Sequence, residues 1–157
     1  MFRKIVLFLA LVLVSLTAGR AFWAWLGDNP AHFSGAVYVA YFQALDKAIA
    51  VPIAVTGLGG VVLSGLAAVL YRRDQLMAGL LLGACLCAVA SSAVTILVNV
   101  PINERIATWN PADLPGDYAD FLSRWWQWHK VRAIVSLVGT ALLFASAVLR
   151  LAPRGKA

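Results

Sequence analysis

The sequence predicts an all-α integral membrane four-helix bundle, with a short amphipathic outer helix before the second and fourth spans. Hydrophobic residues make up 62% of the 157-residue chain and charged residues only 13%, whereas a soluble domain is about 45–50% apolar. A bilayer core requires roughly 20 apolar residues per helix. Four stretches meet this requirement, at 5–26, 49–71, 76–100 and 131–151. The length favours a single domain covering residues 1–157.

The distribution of charge predicts how the bundle is oriented. Six basic and six acidic residues fall at the end formed by the two longer loops, whereas the opposite end has seven basic residues and only Asp74. By the positive-inside rule, both termini and the 72–75 turn face the cytoplasm, in what we expect to be a bacterial inner membrane. Because orientation accounts for the net charge of +6, no nucleic-acid partner is expected. The seven basic residues are Arg3, Lys4, Arg72, Arg73, Arg150, Arg154 and Lys156.

The first apolar stretch has two interpretations. A basic start followed by an apolar run is also how a secretory signal peptide begins, with Thr17 and Gly19 near a candidate cleavage site. The run continues to Leu26, which favours a retained first helix. Arg20 lies in its outer third, where a charge must pair or snorkel to the interface. Its candidate partners are Asp28, Asp46 and Glu104.

Turn residues at 27–30 end the first helix, and Ser34 is predicted to cap the second. Gln43, Asp46 and Lys47 are three and four residues apart, so they share a helix face. Pro52 is expected to kink this helix and to free one carbonyl group.

The third span carries small residues in steps of four, which favour close helix packing in lipid. The same step continues through Thr95 to Asn99 and Asn103, so two amides are expected to meet one partner helix. Cys85 and Cys87 point to different faces of this span, which excludes a disulfide between them and a metal clip.

The fourth span is expected to follow an amphipathic helix at 118–128, capped by Asp113 or Asp117. Across the junction of this helix and the span, Trp125, His129 and Arg132 are four and three residues apart and therefore lie on one face. All six tryptophans fall at the outer end of the bundle. An interfacial belt explains most of them, and an aromatic pocket is the alternative.

These polar residues form the candidate catalytic site. A neutral imidazole at His129 could exchange a proton near pH 7, and Arg132 could hold an oxyanion through charge-assisted hydrogen bonds. Asn99 and Asn103 can orient a phenol or carbonyl group. The alternative is that the basic residues form an interfacial flank and that the amides cap helices. No spacing supports a metal site, and no cofactor is expected.

Two motifs, NVPIN at 99–103 and RWWQWHKVR at 124–132, carry a family resemblance, with further similarity in AGRAFWAW at 18–25 and FQALDKAI at 42–49. The resemblance extends over about residues 18–149 and is to the anthrone oxygenase family of small four-span membrane proteins. It implies oxidation of an anthrone to an anthraquinone by molecular oxygen, without a cofactor. The roles expected at the site are His129 as base, Arg132 as oxyanion partner, Asn99 and Asn103 as orienting groups and Trp125 as an aromatic wall. Arg20, Gln43 and Asp46 are expected as further substrate contacts.

The expected substrate is a small hydrophobic aromatic phenol that reaches the site from the surrounding membrane lipid. A homo-oligomer is left open. The alternative function is a non-enzymatic module that binds a lipid, a quinone or a partner membrane protein. A metal or haem carrier is a third hypothesis.

Overall fold

The computed structural model describes residues 1–151, with side chains through residue 149. The regular elements in this range are α1 (Phe2–Gly27), a 3₁₀ turn (Pro30–His32), α2 (Gly35–Leu70), α3 (Gln75–Val94), a π-helical turn (Thr95–Asn99), α4 (Val100–Ala107) and α5 (Tyr118–Leu151). The elements α3 and α4 are joined through the π turn into one helix, Gln75–Ala107. Four of the described helices are thus long and apolar enough to cross a membrane. The predicted all-α membrane bundle is confirmed.

The helices form a ring in which α1 and α3 each pack against both α2 and α5. Small residues allow close packing in part of the predicted four-residue series, at Gly83 and Cys87, whereas Gly79 of the same series is exposed and a Cβ there would have no neighbour within 4 Å. A Cβ added to Gly139 of α5 would lie 2.9 Å from the Cβ of Cys87. The two cysteines are not bonded to each other.

The predicted amphipathic outer helices are the first turns of α2 and α5, continuous with the spans. Ser34 caps α2 as predicted, since its hydroxyl accepts from the amide of Val37 at 3.4 Å. The 36 residues of α2 correspond to about 54 Å, which exceeds a hydrocarbon core of about 30 Å. The helix therefore either projects beyond the apolar layer or tilts within it. Pro52 lies inside α2, and the Thr56 hydroxyl donates to its carbonyl oxygen at 2.9 Å.

Two clusters of buried apolar residues lie at opposite ends of the bundle. We call the end containing residues 28–34 and 108–117 the long-loop end. One cluster lies there and includes Tyr38, Phe42, Ile106 and Trp125. The other lies towards the 71–74 turn and includes Leu81. The site described below lies between the two clusters.

The tryptophans divide between the two predicted interpretations. Trp23 and Trp128 are exposed, as residues of an interfacial belt would be. Trp109 and Trp125 are buried in the long-loop cluster, so a belt does not explain them. Three of the basic residues from which the orientation is predicted, Arg150, Arg154 and Lys156, have side chains outside the described part of the chain.

Candidate functional site

A cavity of about 450 Å³ occupies the bundle towards the long-loop end. Residues of α1, α2, α5 and the Gln75–Ala107 helix line it. Most of the lining is apolar, and its polar members include the predicted site residues Arg20, Asp46, Asn99, Asn103, His129 and Arg132. The sequence-based site residues are therefore largely brought together, around a space large enough for a small ligand.

The cavity is more open on one side of the bundle than on the other. Its lining residues on α1 and α5 are buried or half-buried, whereas Leu58 of α2 and Ile96 of the π turn are each 56% exposed. Two contacts link α2 to the Gln75–Ala107 helix. Asn103 bonds Asp46 at the long-loop side, and at the other side the Cys85 thiol lies 3.7 Å from the Val61 carbonyl oxygen. The exposed lining residues between these contacts indicate a lateral opening on the apolar surface of the bundle.

Arg132 is a half-buried cation on the α5 wall of this cavity. Its Nη1 donates to the Thr95 hydroxyl at 3.1 Å, and its Nε and Nη2 donate to Nδ1 of His129 at 3.2 and 2.9 Å. None of the described carboxylates forms an ion pair with it. A guanidinium has five N–H donors, so these three bonds leave donors free for an anionic ligand atom.

His129 is fixed in one tautomer by its two hydrogen bonds. Nδ1 faces Arg132, which can only donate, while Nε2 lies 2.9 Å from the carbonyl oxygen of Ala21, which can only accept. The proton is therefore on Nε2, and both ring nitrogens are occupied. The ring is 1% exposed and stacks with Trp125 and Trp126 at centroid distances of 4.8 and 5.8 Å. This geometry favours a role in positioning Arg132 over the predicted role as base.

A second chain of hydrogen bonds joins Trp125, Asn103 and Asp46. The indole Nε1 of Trp125 donates to Oδ1 of Asn103 at 2.8 Å, and Nδ2 of Asn103 donates to Oδ1 of Asp46 at 2.7 Å. Asn103 thus uses its amide to orient a carboxylate from α2. Trp125 also packs edge-on against Phe42 at 5.2 Å, which completes an aromatic wall of the cavity.

Asn99 lies at the end of the π-helical turn, close to Pro101. Its Nδ2 donates to the Trp125 carbonyl at 3.3 Å, whereas its buried Oδ1 has no hydrogen-bond partner among the described residues. A π turn is rare and often marks a functional site. Thr95, Asn99 and Asn103 all contact α5, as the four-residue step predicted.

Arg20 pairs with the first of its predicted partners. Its Nη2 lies 3.1 Å from Oδ2 of Asp28, and the Tyr41 hydroxyl donates to Oδ1 of the same carboxylate at 3.0 Å. Both carboxylate oxygens of Asp28 are therefore used, and they join the end of α1 to α2. Tyr38 lines this part of the cavity, with a buried hydroxyl that makes no hydrogen bond to the described residues.

Gln43 occupies a different place from the one expected. It does not line the cavity, and its Nε2 donates to the carbonyl oxygens of Ile106 and Trp109, each at 2.9 Å. The first carbonyl lies in the last turn of α4 and the second in the loop after it, so Gln43 joins α2 to the end of α4 and to the following loop. Its helix face, shared with Asp46 in the sequence argument, does not bring it to the cavity.

Four further groups belong to the site and were not among the predicted site residues: the Ala21 carbonyl, Phe42, Thr95 and Tyr38. Only Thr95 had a usable signal, since it begins the amide series in the third span. A backbone carbonyl has no signature in sequence, and two aromatics near a span end are expected in any interfacial belt. Within the described residues, no group of three or more His, Cys, Asp or Glu side chains is placed to hold a metal ion.

The fold and this site define a membrane helix bundle with an internal, largely apolar cavity and a cation at its wall. The chain belongs to the anthrone oxygenase family, whose match covers residues 43–142. The matched range contains Asp46, Asn99, Asn103, Trp125, His129 and Arg132, but neither α1 nor Arg20. No curated protein and no solved structure is significantly similar to the chain.

Proposed function

We propose that this protein is a membrane-embedded, cofactor-independent oxygenase that oxidises an aromatic or polyketide-like phenolic substrate with O₂. Family membership supports the class of reaction. The observation that carries the proposal is the Arg132 guanidinium, which lies at the wall of an apolar cavity without a carboxylate partner among the described residues. Such a cation stabilises an oxyanion strongly when water is excluded.

The substrate type follows from the chemistry that an oxyanion partner assists. An anthrone has an acidic CH₂ group conjugated to a carbonyl. Loss of one proton leaves an anion whose charge lies largely on the carbonyl oxygen, where Arg132 can hold it. Oδ1 of Asn99, which has no partner among the described residues, accepts from a neighbouring hydroxyl group, and the second N–H of Asn103 Nδ2 donates to an acceptor oxygen of the substrate. Trp125 and Phe42 provide the wall against which the rings lie.

The reaction balances without a further reductant. The anion gives its electrons to O₂, and a C–O bond forms at the former CH₂ carbon to give a peroxide, which takes up a proton. Removal of the second C–H proton breaks the O–O bond, so a quinone carbonyl forms and hydroxide leaves as water. One substrate molecule and one O₂ give one quinone and one water.

In this proposal the substrate reaches the cavity from the lipid, through the opening between α2 and the Gln75–Ala107 helix. Exposed apolar residues at its edge, including Leu58 and Ile96, suit a ligand dissolved in hydrocarbon. We also propose that the long-loop end faces away from the cytoplasm, as the charge distribution predicts.

The test is oxygen uptake by the purified protein in nanodiscs, with anthrone and a series of hydroquinones as substrates. Protein-free nanodiscs measure spontaneous autoxidation. The proposal predicts protein-dependent uptake that falls to the autoxidation rate in Arg132→Gln. If folded wild-type protein binds these compounds but does not accelerate uptake, the oxygenase is contradicted and a non-enzymatic ligand-binding module is supported.

A further inference from the structure

The oxidation proposed above requires a group that accepts the substrate's proton, and this inference rests on that function. His129 is poorly suited, because both its ring nitrogens are hydrogen-bonded and the residue is 1% exposed. Three carboxylates also line the cavity, those of Asp28, Asp46 and Glu104. Their hydrogen bonds and exposure indicate which of the three is best placed to accept the proton.

Asp28 and Glu104 are both poorly suited to accept the substrate's proton. Asp28 is 7% exposed, and its two oxygens accept from Arg20 and Tyr41. Accepting a proton there would weaken both the ion pair with Arg20 and the hydrogen bond from Tyr41 that joins the end of α1 to α2. Glu104 is exposed at the rim of the cavity, where water competes with any substrate for its carboxylate.

Asp46 combines a fixed position with a free oxygen. Its Oδ1 accepts from Asn103, which is itself held by the Trp125 indole, so the carboxylate plane is oriented from α4 and α5. Its Oδ2 makes no hydrogen bond to the described residues, and the half-buried side chain lines the cavity. The same Trp125 ring stacks on His129, the hydrogen-bond partner of Arg132.

We propose that Asp46 is the catalytic base, with Oδ2 taking the proton from the acidic carbon of the substrate. The C–H electron pair moves into the ring system and onto the carbonyl oxygen, where it is held by Arg132. The carboxylate becomes a carboxylic acid, which then returns the proton to the peroxide formed with O₂. The second C–H proton follows the same route to the departing hydroxide. Base and oxyanion partner thus come from two different helices.

The experiment separates proton removal from oxidation. Anthrone is incubated without oxygen in D₂O with protein in nanodiscs, and deuterium uptake at its CH₂ carbon is followed by mass spectrometry. Wild-type protein is expected to accelerate exchange over protein-free nanodiscs, and Asp46→Asn to remove roughly a 10²-fold to 10⁴-fold acceleration. Glu104→Gln, which removes another carboxylate from the same cavity, is expected to retain it.

Two further measurements exclude a merely structural role. Binding of anthraquinone, followed by tryptophan fluorescence, is expected to persist in Asp46→Asn. Added formate is expected to restore part of the exchange in Asp46→Ala, because a small carboxylate can occupy the space left by the side chain.

Each outcome has a distinct meaning. Wild-type-like exchange in Asp46→Asn, loss of exchange in Glu104→Gln, or loss of exchange in Asp46→Ala that formate does not restore would each overturn the role of Asp46. Absence of any acceleration by the wild type would contradict the oxygenase function itself, and the base with it.

Discussion

Arg132 donates two hydrogen bonds to the same nitrogen, Nδ1 of His129, at 3.2 Å from Nε and 2.9 Å from Nη2. The histidine is in turn held by the Ala21 carbonyl on α1 and by two stacked indoles. Together with Thr95, which accepts from Nη1, these groups orient the guanidinium from three helices before any ligand binds. Such preorganisation is what an oxyanion site requires, because no reorganisation is needed during the reaction.

Arg132→Lys tests the need for the guanidinium fork. Lysine keeps the charge but cannot bond Thr95, His129 and a ligand oxygen in one plane. We expect the turnover number for anthrone to fall roughly 10²-fold or more, as for removal of an oxyanion donor, with anthraquinone binding retained. Steady-state oxygen uptake measures this. Arg124→Lys is the matched control, since Arg124 lies on the same helix, is exposed and does not line the cavity. Equal activity of the two variants would refute the role of Arg132.

Two substitutions at His129 separate positioning from proton transfer. In His129→Asn the side-chain oxygen can replace Nδ1 as acceptor for Arg132, whereas His129→Phe keeps an aromatic ring but has no acceptor. We expect His129→Phe to lose about 10²-fold in turnover, the scale of a 1 Å misplacement, and His129→Asn to lose much less. If the turnover numbers of His129→Phe and His129→Asn fall equally, the predicted role of His129 as base is favoured.

Filling the lateral opening should slow access to the site. Gly57 lines the cavity, and a Cβ there would have no neighbour within 4 Å, so the side chain of Gly57→Phe begins in open space and is expected to extend into the opening. We expect kcat/KM for anthrone to fall several-fold or more. Gly79→Phe is the control, because Gly79 is exposed, has similar space and lies away from the cavity. Unchanged kinetics in Gly57→Phe, with the protein folded, would place the access route elsewhere.

Gln43→Met should reduce stability and leave the chemistry unchanged. The substitution removes the side-chain donor from both carbonyls. The Ile106 oxygen keeps its hydrogen bond from the Trp109 amide at 3.1 Å, whereas the Trp109 oxygen loses the donor from Gln43, at a cost of about 1–3 kcal/mol for a buried polar group left unsatisfied. Thermal unfolding in detergent, compared with the exposed neighbour Lys47→Met, measures the difference. A Gln43→Met protein of wild-type stability but with impaired anthraquinone binding would support the predicted role of Gln43 as a substrate contact.

The bundle could be predicted from sequence because apolar stretches of about 20 residues leave few alternatives to membrane helices. The amide series from Thr95 to Asn103 was also predictable, because side chains four apart on a helix meet the same neighbour. Gln43 and Asp46 could not be separated in this way. Their shared face is wide enough for one to reach the cavity and the other the end of α4.

The roles of His129 and Asp46 depend on tertiary contacts that spacing does not reveal. The tautomer of His129 follows from a carbonyl on α1, 108 residues away in the chain. Asn103, 57 residues away, bonds only one oxygen of the Asp46 carboxylate and so leaves the other free. A sequence motif indicates which residue types are present, but only the assembled helices show which of their atoms remain free.

The most direct test of the central proposal is the fate of isotopic oxygen. Anthrone is supplied to the wild-type protein in nanodiscs under ¹⁸O₂ in unlabelled water, and the quinone is analysed by mass spectrometry over the first turnovers. The account predicts one ¹⁸O atom per quinone, formed faster than in protein-free nanodiscs and in nanodiscs carrying Arg132→Gln. Quinone whose new oxygen comes from water, or that forms no faster with the protein than without it, would contradict the account.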